Sequence, residues 1–171
     1  PEMATQNLQP SFNNFPWEEN EKALKMWKEG NTGYPLVDAG MRELRRTGYM
    51  HNRVRMITAS FLIKHLMIDW RAGEKYFWDR LWVAGSGADA APFFRIFNPI
   101  IQGEKFDPNG SYTKRFIPEL AHLEQKHLFS PWKSKSDRVG LDFQEGQYPD
   151  PIVEHEYARN RALEAFQQIR R

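Results

Sequence analysis

The sequence predicts an all-α fold, and three observations carry that prediction. Apolar residues recur three and four positions apart in several segments, which is the spacing of one helix face. Glycine and proline stand at the ends of those segments, where they terminate or begin helices. No alternation of apolar and polar residues lasts long enough for a strand, and no internal repeat is present. With 171 residues, the chain has the size of one domain.

The first part of the chain is expected to hold an irregular lead-in and two helices. Residues 1–17 are rich in Gln, Asn and Pro and are predicted to be irregular. A helix is predicted within 17–30, with acidic residues in its first turn and Gly30 at its end. A second helix is predicted from Pro35, which suits a first turn, to Gly48, which suits a stop.

A third helix is predicted to run unbroken from about Met50 to Met67. Its apolar stripe consists of Val54, Ile57, Phe61 and Leu62. The remaining elements are predicted as a helix over 71–81, a short helix or turn over 88–97, a loop over 98–112, a short helix over 117–128, an irregular stretch over 130–150 and a terminal helix over 151–171. The loop prediction depends on the Pro, Gly and Asp-Pro-Asn-Gly residues of that stretch.

Charge is concentrated in one part of the chain, although the formal net charge is only +2. The stretch from Arg42 to Lys64 contains six basic residues and one acidic residue, Glu43. Such a cluster suits the binding of phosphate groups, as in a nucleic acid. A solvated helix face is the alternative explanation of the same charges.

Several classes of site and location are disfavoured by composition. Without cysteine, the chain has no disulfide, thiolate nucleophile or Cys-based metal site, which is compatible with a cytoplasmic protein. No apolar run reaches the roughly 18 residues of a membrane span, so no membrane association is expected. His51 and His65 lack carboxylates at metal-ligand spacing, so no metal is expected. We expect His65 to be a hydrogen-bonded core histidine.

The stretch TGYMHNRVRMITASF, residues 47–61, contains the sharpest pattern. Asn52, Arg55, Met56 and Ala59 share one face of the third predicted helix. The Asn amide offers a donor and an acceptor in one plane, which matches the edge of a heterocycle, and Arg forks onto phosphate or carboxylate. This face therefore suits a planar ligand. A helix with an internal ion pair and a tightly packed neighbour is the alternative explanation of the same spacing.

Aromatic and basic residues further along the chain suggest contacts with a nucleic acid. The six tryptophans are expected to fill the core, but Trp82 could stack on a base. Arg95 and Lys105 flank a phenylalanine cluster and resemble phosphate contacts beside apolar walls. Surface solvation is the alternative for Lys105.

Two long stretches carry a resemblance to a known family. They are GNTGYPLVDAGMRELRRTGYMHNRVRMITASFLIKHLMIDWRAGEKYF, residues 30–77, and WVAGSGADAAPFFRIFNPIIQGEKFDPNG, residues 82–110. Both closely resemble the helical FAD-binding domain of the DNA photolyase/cryptochrome family. MHNR at 50–53 and Met56 resemble the cyclobutane pyrimidine dimer photolyase branch more than plant cryptochromes or the DASH type.

The resemblance implies a function and its residues. It implies light-driven repair of cyclobutane pyrimidine dimers in UV-damaged DNA, by electron transfer from excited reduced FAD to the flipped-out dimer. Asn52 and Arg55 match flavin-binding positions, and Trp70 and Trp17 match the middle and outer members of an electron-transfer chain. The implied DNA or lesion contacts are Asn52, Arg53, Val54, Arg55, Met56, Trp82, Arg95 and Gln102. The alternatives are a cryptochrome-type blue-light photoreceptor that uses the same flavin and a flavin-free helical DNA-binding remnant.

The resemblance also implies missing parts. Residues 1–171 correspond to one incomplete domain, without the upstream domain that binds an antenna chromophore of folate or deazaflavin type. The family pattern has a further stretch between Leu81 and Trp82, and that stretch includes the tryptophan nearest the flavin. We interpret the join as a disordered loop left out of the sequence, with a true deletion as the alternative. A monomer is expected.

Overall fold

The structure is a computed structural model that describes residues 10–80, 96–136 and 148–170. Within those ranges the regular elements are all helical, as predicted. The α-helices are α1 (Glu21–Glu29), α2 (Pro35–Thr47), α3 (Asn52–Ser60), α4 (Trp70–Arg80), α5 (Pro99–Phe106), α6 (Ser111–Phe116), α7 (Gln125–Leu128), α8 (Pro131–Ser136) and α9 (His155–Arg170). Short 3-10 helices occur at Pro10–Asn14 and Pro118–Leu120, the first inside the predicted irregular lead-in.

Local capping explains the limits of α1 and α2, and both predictions are confirmed. The Asn20 side-chain oxygen accepts a hydrogen bond from the Ala23 amide at 2.9 Å, which begins α1. Gly30 and Gly48 end the two helices in the left-handed conformation, each with φ of 69°. Pro35 occupies the first turn of α2, where its missing N–H costs no hydrogen bond.

The prediction of an unbroken third helix is wrong. The α-helix ends at Ser60, and residues Phe61–His65 form a π-helical turn closed by the Leu66 amide on the Phe61 carbonyl at 3.1 Å. Met67 then takes a φ of 53°, unusual for a residue with a side chain, and stops the chain from continuing as a helix. The apolar periodicity continues through the turn, so the sequence pattern does not reveal it. Such π-turns are frequent at functional sites.

The predicted loop over 98–112 is also wrong, because its polar and turn residues cap helices. Asn98 Oδ1 accepts from the amides of Ile100 at 3.0 Å and Ile101 at 3.3 Å and so begins α5. Asp107 ends that helix, and its carboxylate accepts from the Thr113 amide at 2.8 Å in the first turn of α6. The residues typical of turns therefore lie at helix ends.

The later predictions are partly wrong. The segment 117–128 holds a 3-10 turn and α7 in place of one helix, and α8 lies in the segment 130–150, which was predicted to be irregular. Trp132 on α8 packs partly buried against the main core, which gives this short helix an apolar contact. The helix predicted over 88–97 and the break at Leu81 lie outside the described residues.

The terminal helix is confirmed, but it begins four residues after Pro151. The carboxylate of Glu154 accepts from the amides of Glu156 at 2.9 Å and Tyr157 at 2.7 Å. These bonds satisfy donors that the first turn leaves without partners, so the helix begins at His155.

One main core lies between α1, α2, α3 and the surrounding helices. Trp27 of α1 is completely buried, and its indole N–H donates to the Thr58 carbonyl of α3 at 3.0 Å. Gly40 of α2 permits close approach, since a Cβ there would lie 2.4 Å from Cγ1 of Val54. A second, smaller cluster contains Phe15, Met67 and Ala165.

A buried carboxylate fastens the segment after residue 147 to the loop before α2. Asp38 accepts hydrogen bonds from the Thr32 amide at 2.8 Å, the Thr32 hydroxyl at 2.6 Å and the Gly33 amide at 3.0 Å, and also from the Tyr148 hydroxyl. Burial raises the pKa of Asp38 to about 6 although these bonds oppose the rise. The Ile152 amide adds a bond to the Thr32 carbonyl at 2.9 Å.

The described residues contain neither a membrane-spanning helix nor a metal-binding group of side chains. No helix among residues 10–80, 96–136 and 148–170 has the length and apolar character to cross a bilayer. Over the same ranges, His, Asp and Glu side chains nowhere gather in a group of three or more that could hold a metal ion.

Candidate functional site

The first turn of α3 concentrates positive charge. His51 begins the helix, because its Nδ1 accepts from the Arg53 amide at 3.1 Å. Arg53 and Arg55 lie in or next to this turn, and no acidic residue accompanies them there. A helix N-terminus already carries partial positive charge, so the two guanidinium groups add to it and the site favours an anion.

Asn52 and Arg55 form a pair on the surface with unused hydrogen-bonding capacity. Arg55 Nη2 donates to Asn52 Oδ1 at 2.9 Å, so the helix orients both side chains one turn apart. Asn52 is exposed and Arg55 is half-buried, and Nε of Arg55 is buried without a hydrogen-bond partner. A buried N–H without an acceptor costs free energy, and an acceptor that reaches this N–H would remove that cost. The ion pair of the alternative explanation is not found among the described residues, where Arg55 bonds to the Asn52 side-chain amide.

The other candidate residues of α3 lie against the core. Val54 is 8% exposed and packs against Gly40, so its side chain does not reach the surface, and only its backbone is left for a lesion contact. Ala59 is also buried in the main core, and it is not part of an open face as its spacing predicted. Met56 is half-buried and packs against that core with part of its side chain accessible.

Helix α5 brings a second set of candidate residues next to α3. The guanidinium carbon of Arg53 lies 5.0 Å from the ring centroid of Phe106, and Nζ of Lys105 lies 5.4 Å from the same centroid. Both distances are within the range of cation–π attraction. Gln102 is half-buried on the same helix. Candidates far apart in sequence are therefore close together at Phe106.

The basic cluster from Arg42 to Lys64 does not form one surface. The Arg42 guanidinium donates hydrogen bonds to the Gly30 carbonyl at 3.0 Å and to both carboxylate oxygens of Glu119 at 2.8 and 2.9 Å. Lys64 is half-buried, and burial lowers its pKa to about 8. Both residues are removed from any phosphate-binding surface by internal partners or burial. Arg45, Arg46 and Arg53 are exposed.

The two tryptophans of the predicted electron-transfer chain lie on neighbouring segments. Trp70 begins α4 and is 8% exposed, with the Arg71 guanidinium carbon 4.9 Å from its ring centroid. Trp17 is half-buried, and its ring centroid lies 4.6 Å from that of Phe15. The amide of the residue after Trp17 donates to the Met67 carbonyl at 2.7 Å, three residues before Trp70. The strained end of the third helix therefore connects the two segments.

Other candidates are placed differently. Trp82 and Arg95 lie outside the described residues. His65 is buried and hydrogen-bonded, as predicted, with its Nε2 2.8 Å from Nδ1 of His155. The capping role of His51 and the place of Phe106 beside Arg53 were not predicted from the sequence. The position of Phe106 directly after Lys105 was a usable signal for a cation–aromatic contact. Nothing in the sequence indicated that Arg53 of α3 would reach the same ring.

Comparison with known proteins gives consistent results. A profile described as the FAD binding domain of DNA photolyase matches residues 1–168. A deoxyribodipyrimidine photo-lyase of Agrobacterium fabrum is 53% identical and aligns with 100% of the chain and 39% of its own length. The crystal structure of a bacterial class III photolyase from Agrobacterium tumefaciens covers 99% of the chain at 53% identity with a TM-score of 0.87, and the chain matches 38% of it. A Synechocystis cryptochrome structure covers 95% of the chain at 33% identity with a TM-score of 0.83, and 37% of it is matched.

Proposed function

The chain belongs to the family of FAD-binding domains of DNA photolyases, and on that premise we propose that it is the flavin- and lesion-binding part of a light-driven DNA repair enzyme. The proposed activity is that of a deoxyribodipyrimidine photo-lyase, which splits cyclobutane pyrimidine dimers. The chain spans only 39% of the A. fabrum relative, so the repair enzyme is proposed to be a longer protein. Reduced FAD, when bound and excited by blue light, would supply the electron that opens the cyclobutane ring and would receive it back afterwards.

The unpaired Nε of Arg55 beside the Asn52 amide is the observation that carries the proposal. Both groups lie in the first turn of α3, where the helix N-terminus favours negative charge. A ring carbonyl, a ring N–H or a phosphate oxygen matches the donors and acceptors that this pair presents. The pair therefore suits the polar edge of a flavin or of a pyrimidine lesion.

The remaining candidates are assigned to the DNA. Arg53 and Lys105 neutralise backbone phosphates, and Met56 supplies an adaptable apolar contact to the lesion. Gln102, Val54 through its backbone, Trp82 and Arg95 complete the proposed contacts. A dimer is already poorly stacked and paired, so flipping it out costs only a few kcal/mol. Stacking on Trp82, worth about 1–3 kcal/mol for a base, offsets that cost.

Trp70 and Trp17 are proposed to carry electrons to the flavin. The hydrogen bond between the residue after Trp17 and Met67 keeps the two tryptophan-bearing segments side by side. Burial of Trp70 reduces the solvent reorganisation that an electron transfer requires, and the half-buried Trp17 stands nearer to solvent. This order supports Trp17 as the outer member and Trp70 as the middle member.

Further parts of the protein are proposed from the family resemblance. An upstream domain would bind an antenna chromophore of folate or deazaflavin type. The alignment with the A. fabrum relative extends over 187 positions, whereas the chain has 171 residues. We propose from the family pattern that the additional positions lie between Leu81 and Trp82. We propose a cytoplasmic monomer that acts on UV-damaged DNA.

Repair of a defined lesion tests the activity. The full-length protein is irradiated with blue light in the presence of an oligonucleotide that contains one thymine dimer, and restored thymines are measured by chromatography. We expect repair in the light and none in darkness. Asn52→Ala should lower the repair yield, whereas Asn160→Ala, on the exposed face of α9, should not. A protein that binds flavin yet leaves the dimer intact would contradict the proposal.

A cryptochrome-type photoreceptor is the second candidate, favoured by the TM-score of 0.83 with the Synechocystis cryptochrome. It would use the same flavin and the Trp17 and Trp70 pair to signal to a partner without recognising lesions. Tight binding to dimer-containing DNA that Trp82→Ala abolishes would count against it. A flavin-free DNA-binding remnant is a third alternative, and the appearance of a structured near-blue absorption band after reconstitution with FAD would exclude it.

A further inference from the structure

The exposed ring of Phe106 is the feature from which we draw a further inference. Phe106 is the last residue of α5 and is 43% exposed, so it adds less to the core than a buried phenylalanine does. Two cations from different helices meet at this ring, with Arg53 of α3 at 5.0 Å and Lys105 of α5 at 5.4 Å from the centroid. Within the described part of the chain, neither cation is paired with a carboxylate.

The ring restricts two long and flexible side chains. An exposed arginine or lysine samples many rotamers, and fixing them on binding costs conformational free energy. The negative face of an aromatic ring attracts a cation and holds it in place before a ligand arrives. The charges of Arg53 and Lys105 lie no further apart than the sum of their distances from the centroid. This upper limit is compatible with contacts to neighbouring phosphates of one DNA strand, which follow one another at about 3.4 Å along the helix axis.

We propose that Phe106 is a positioning residue that holds Arg53 and Lys105 ready to bind neighbouring phosphates of a DNA strand. The proposal rests on the proposed function, because it assumes that these two cations contact DNA. Phe106 itself acts through the cations and makes no contact with the lesion. Its contribution is therefore independent of whether the DNA is damaged.

The test compares two replacements of the ring in the full-length protein. Phe106→Leu keeps an apolar side chain of similar size without the aromatic face, and Phe106→Tyr keeps the aromatic face. Affinity is measured by fluorescence anisotropy over a series of salt concentrations, for a duplex with one thymine dimer and for the same duplex undamaged. Arg53→Met, Lys105→Met and the double variant with Phe106→Leu and Arg53→Met are measured in parallel.

We expect Phe106→Leu to weaken binding to both duplexes by roughly three- to tenfold, the size of one or two exposed cation–π contacts. The slope of the logarithm of affinity against the logarithm of salt concentration should fall in magnitude by about 1, because fewer counterions are released. Phe106→Tyr should retain wild-type affinity and slope. The double variant should lose less than the sum of the two single losses, because the residues act through one contact.

Each other outcome refutes the positioning role of Phe106. The outcomes also show whether the proposed DNA-binding function fails with it. Wild-type binding by Phe106→Leu, together with weakened binding by Arg53→Met and Lys105→Met, refutes the positioning role and leaves the DNA-binding function standing. Equal losses in the Leu and Tyr variants show a packing effect. A loss confined to damaged DNA shows that the ring contacts the lesion directly. Unchanged affinity in both Met variants removes the phosphate contacts on which the inference rests.

Discussion

Nε2 of His65 lies 2.8 Å from Nδ1 of His155, and this contact joins the π-helical turn after α3 to the first residue of α9. The His65 ring also stacks on Phe61, with centroids 4.6 Å apart. Arg161 of α9 donates to the His65 carbonyl at 2.7 Å. The terminal helix is thus docked onto the turn that leads towards Trp70 by neutral imidazole rings and a backbone carbonyl.

The burial of His65 at this contact makes stability depend on pH. Burial lowers the pKa of His65 to about 3, with smaller contributions from His155, Lys64 and Arg161, whereas an unfolded histidine titrates near 6.5. Between these values the unfolded chain binds a proton that the folded chain does not. The contribution of His65 to stability is therefore complete above about pH 6.5 and decreases as the pH falls towards 3.

A pair of variants isolates that contribution. His65→Asn keeps a hydrogen-bonding side chain that does not titrate, so it should lose less stability than the wild type between pH 7.5 and about 5. His122→Asn, at an exposed site, should follow the wild type. The measurement is the midpoint of urea unfolding at each pH. The midpoint of each variant is compared with that of the wild type at the same pH, so the contributions of other titrating groups, such as Asp38, cancel. Parallel acid sensitivity in all three proteins would contradict the prediction.

The cap of α5 should be energetically important. Asn98→Ala removes the oxygen that accepts from Ile100 and Ile101, and we expect the free energy of unfolding to fall by about 1 kcal/mol. Asn98→Asp retains an acceptor and should remain close to the wild type. Chemical denaturation followed by circular dichroism provides both values. Equal stability of the Ala and Asp variants would show that packing alone determines where α5 begins.

The packing of α5 on the core leaves no room at Gly103. A Cβ at this position would lie 2.2 Å from Cδ1 of Phe129, so Gly103→Ala forces the ring or the helix to move. We expect a loss of about 1–3 kcal/mol in the free energy of unfolding, even though alanine favours a helix. Glu104→Ala, exposed on the next position, should change stability by less than about 0.5 kcal/mol. A stabilised Gly103→Ala protein would refute this account.

Loss of the Arg55 guanidinium should weaken flavin binding. Arg55→Met removes the half-buried donors while keeping much of the side-chain volume, so we expect less flavin to remain bound after gel filtration of the full-length protein. Arg46→Met, which removes an exposed arginine of α2, is the matched control. The ratio of flavin to protein absorbance gives the result. Full flavin content in Arg55→Met would reject the assignment of Arg55 to the cofactor.

Predictability from sequence differs between the helices. The ends of α1 and α2 were predicted, because Gly30, Pro35 and Gly48 act on the backbone within a few residues of their own positions. The segment 98–112 was predicted as a loop, because Asn, Pro and Gly occur both in turns and at helix ends. The segment forms helix α5, and Gly103 of that helix packs against Phe129, 26 positions further along the chain.

The sequence alone determined the all-α class and the placement of Asn52 and Arg55 on one helix face, since helical periodicity and residue spacing are local properties. The family was indicated by the resemblance of two long stretches of the sequence. Only the tertiary structure decided which charges remain available at the surface. Arg42 is occupied by Glu119, 77 positions away, whereas Arg53 meets Phe106 of another helix. Burial and pairing depend on distant segments that meet only after folding, so identical residue types within one run of sequence end in different roles.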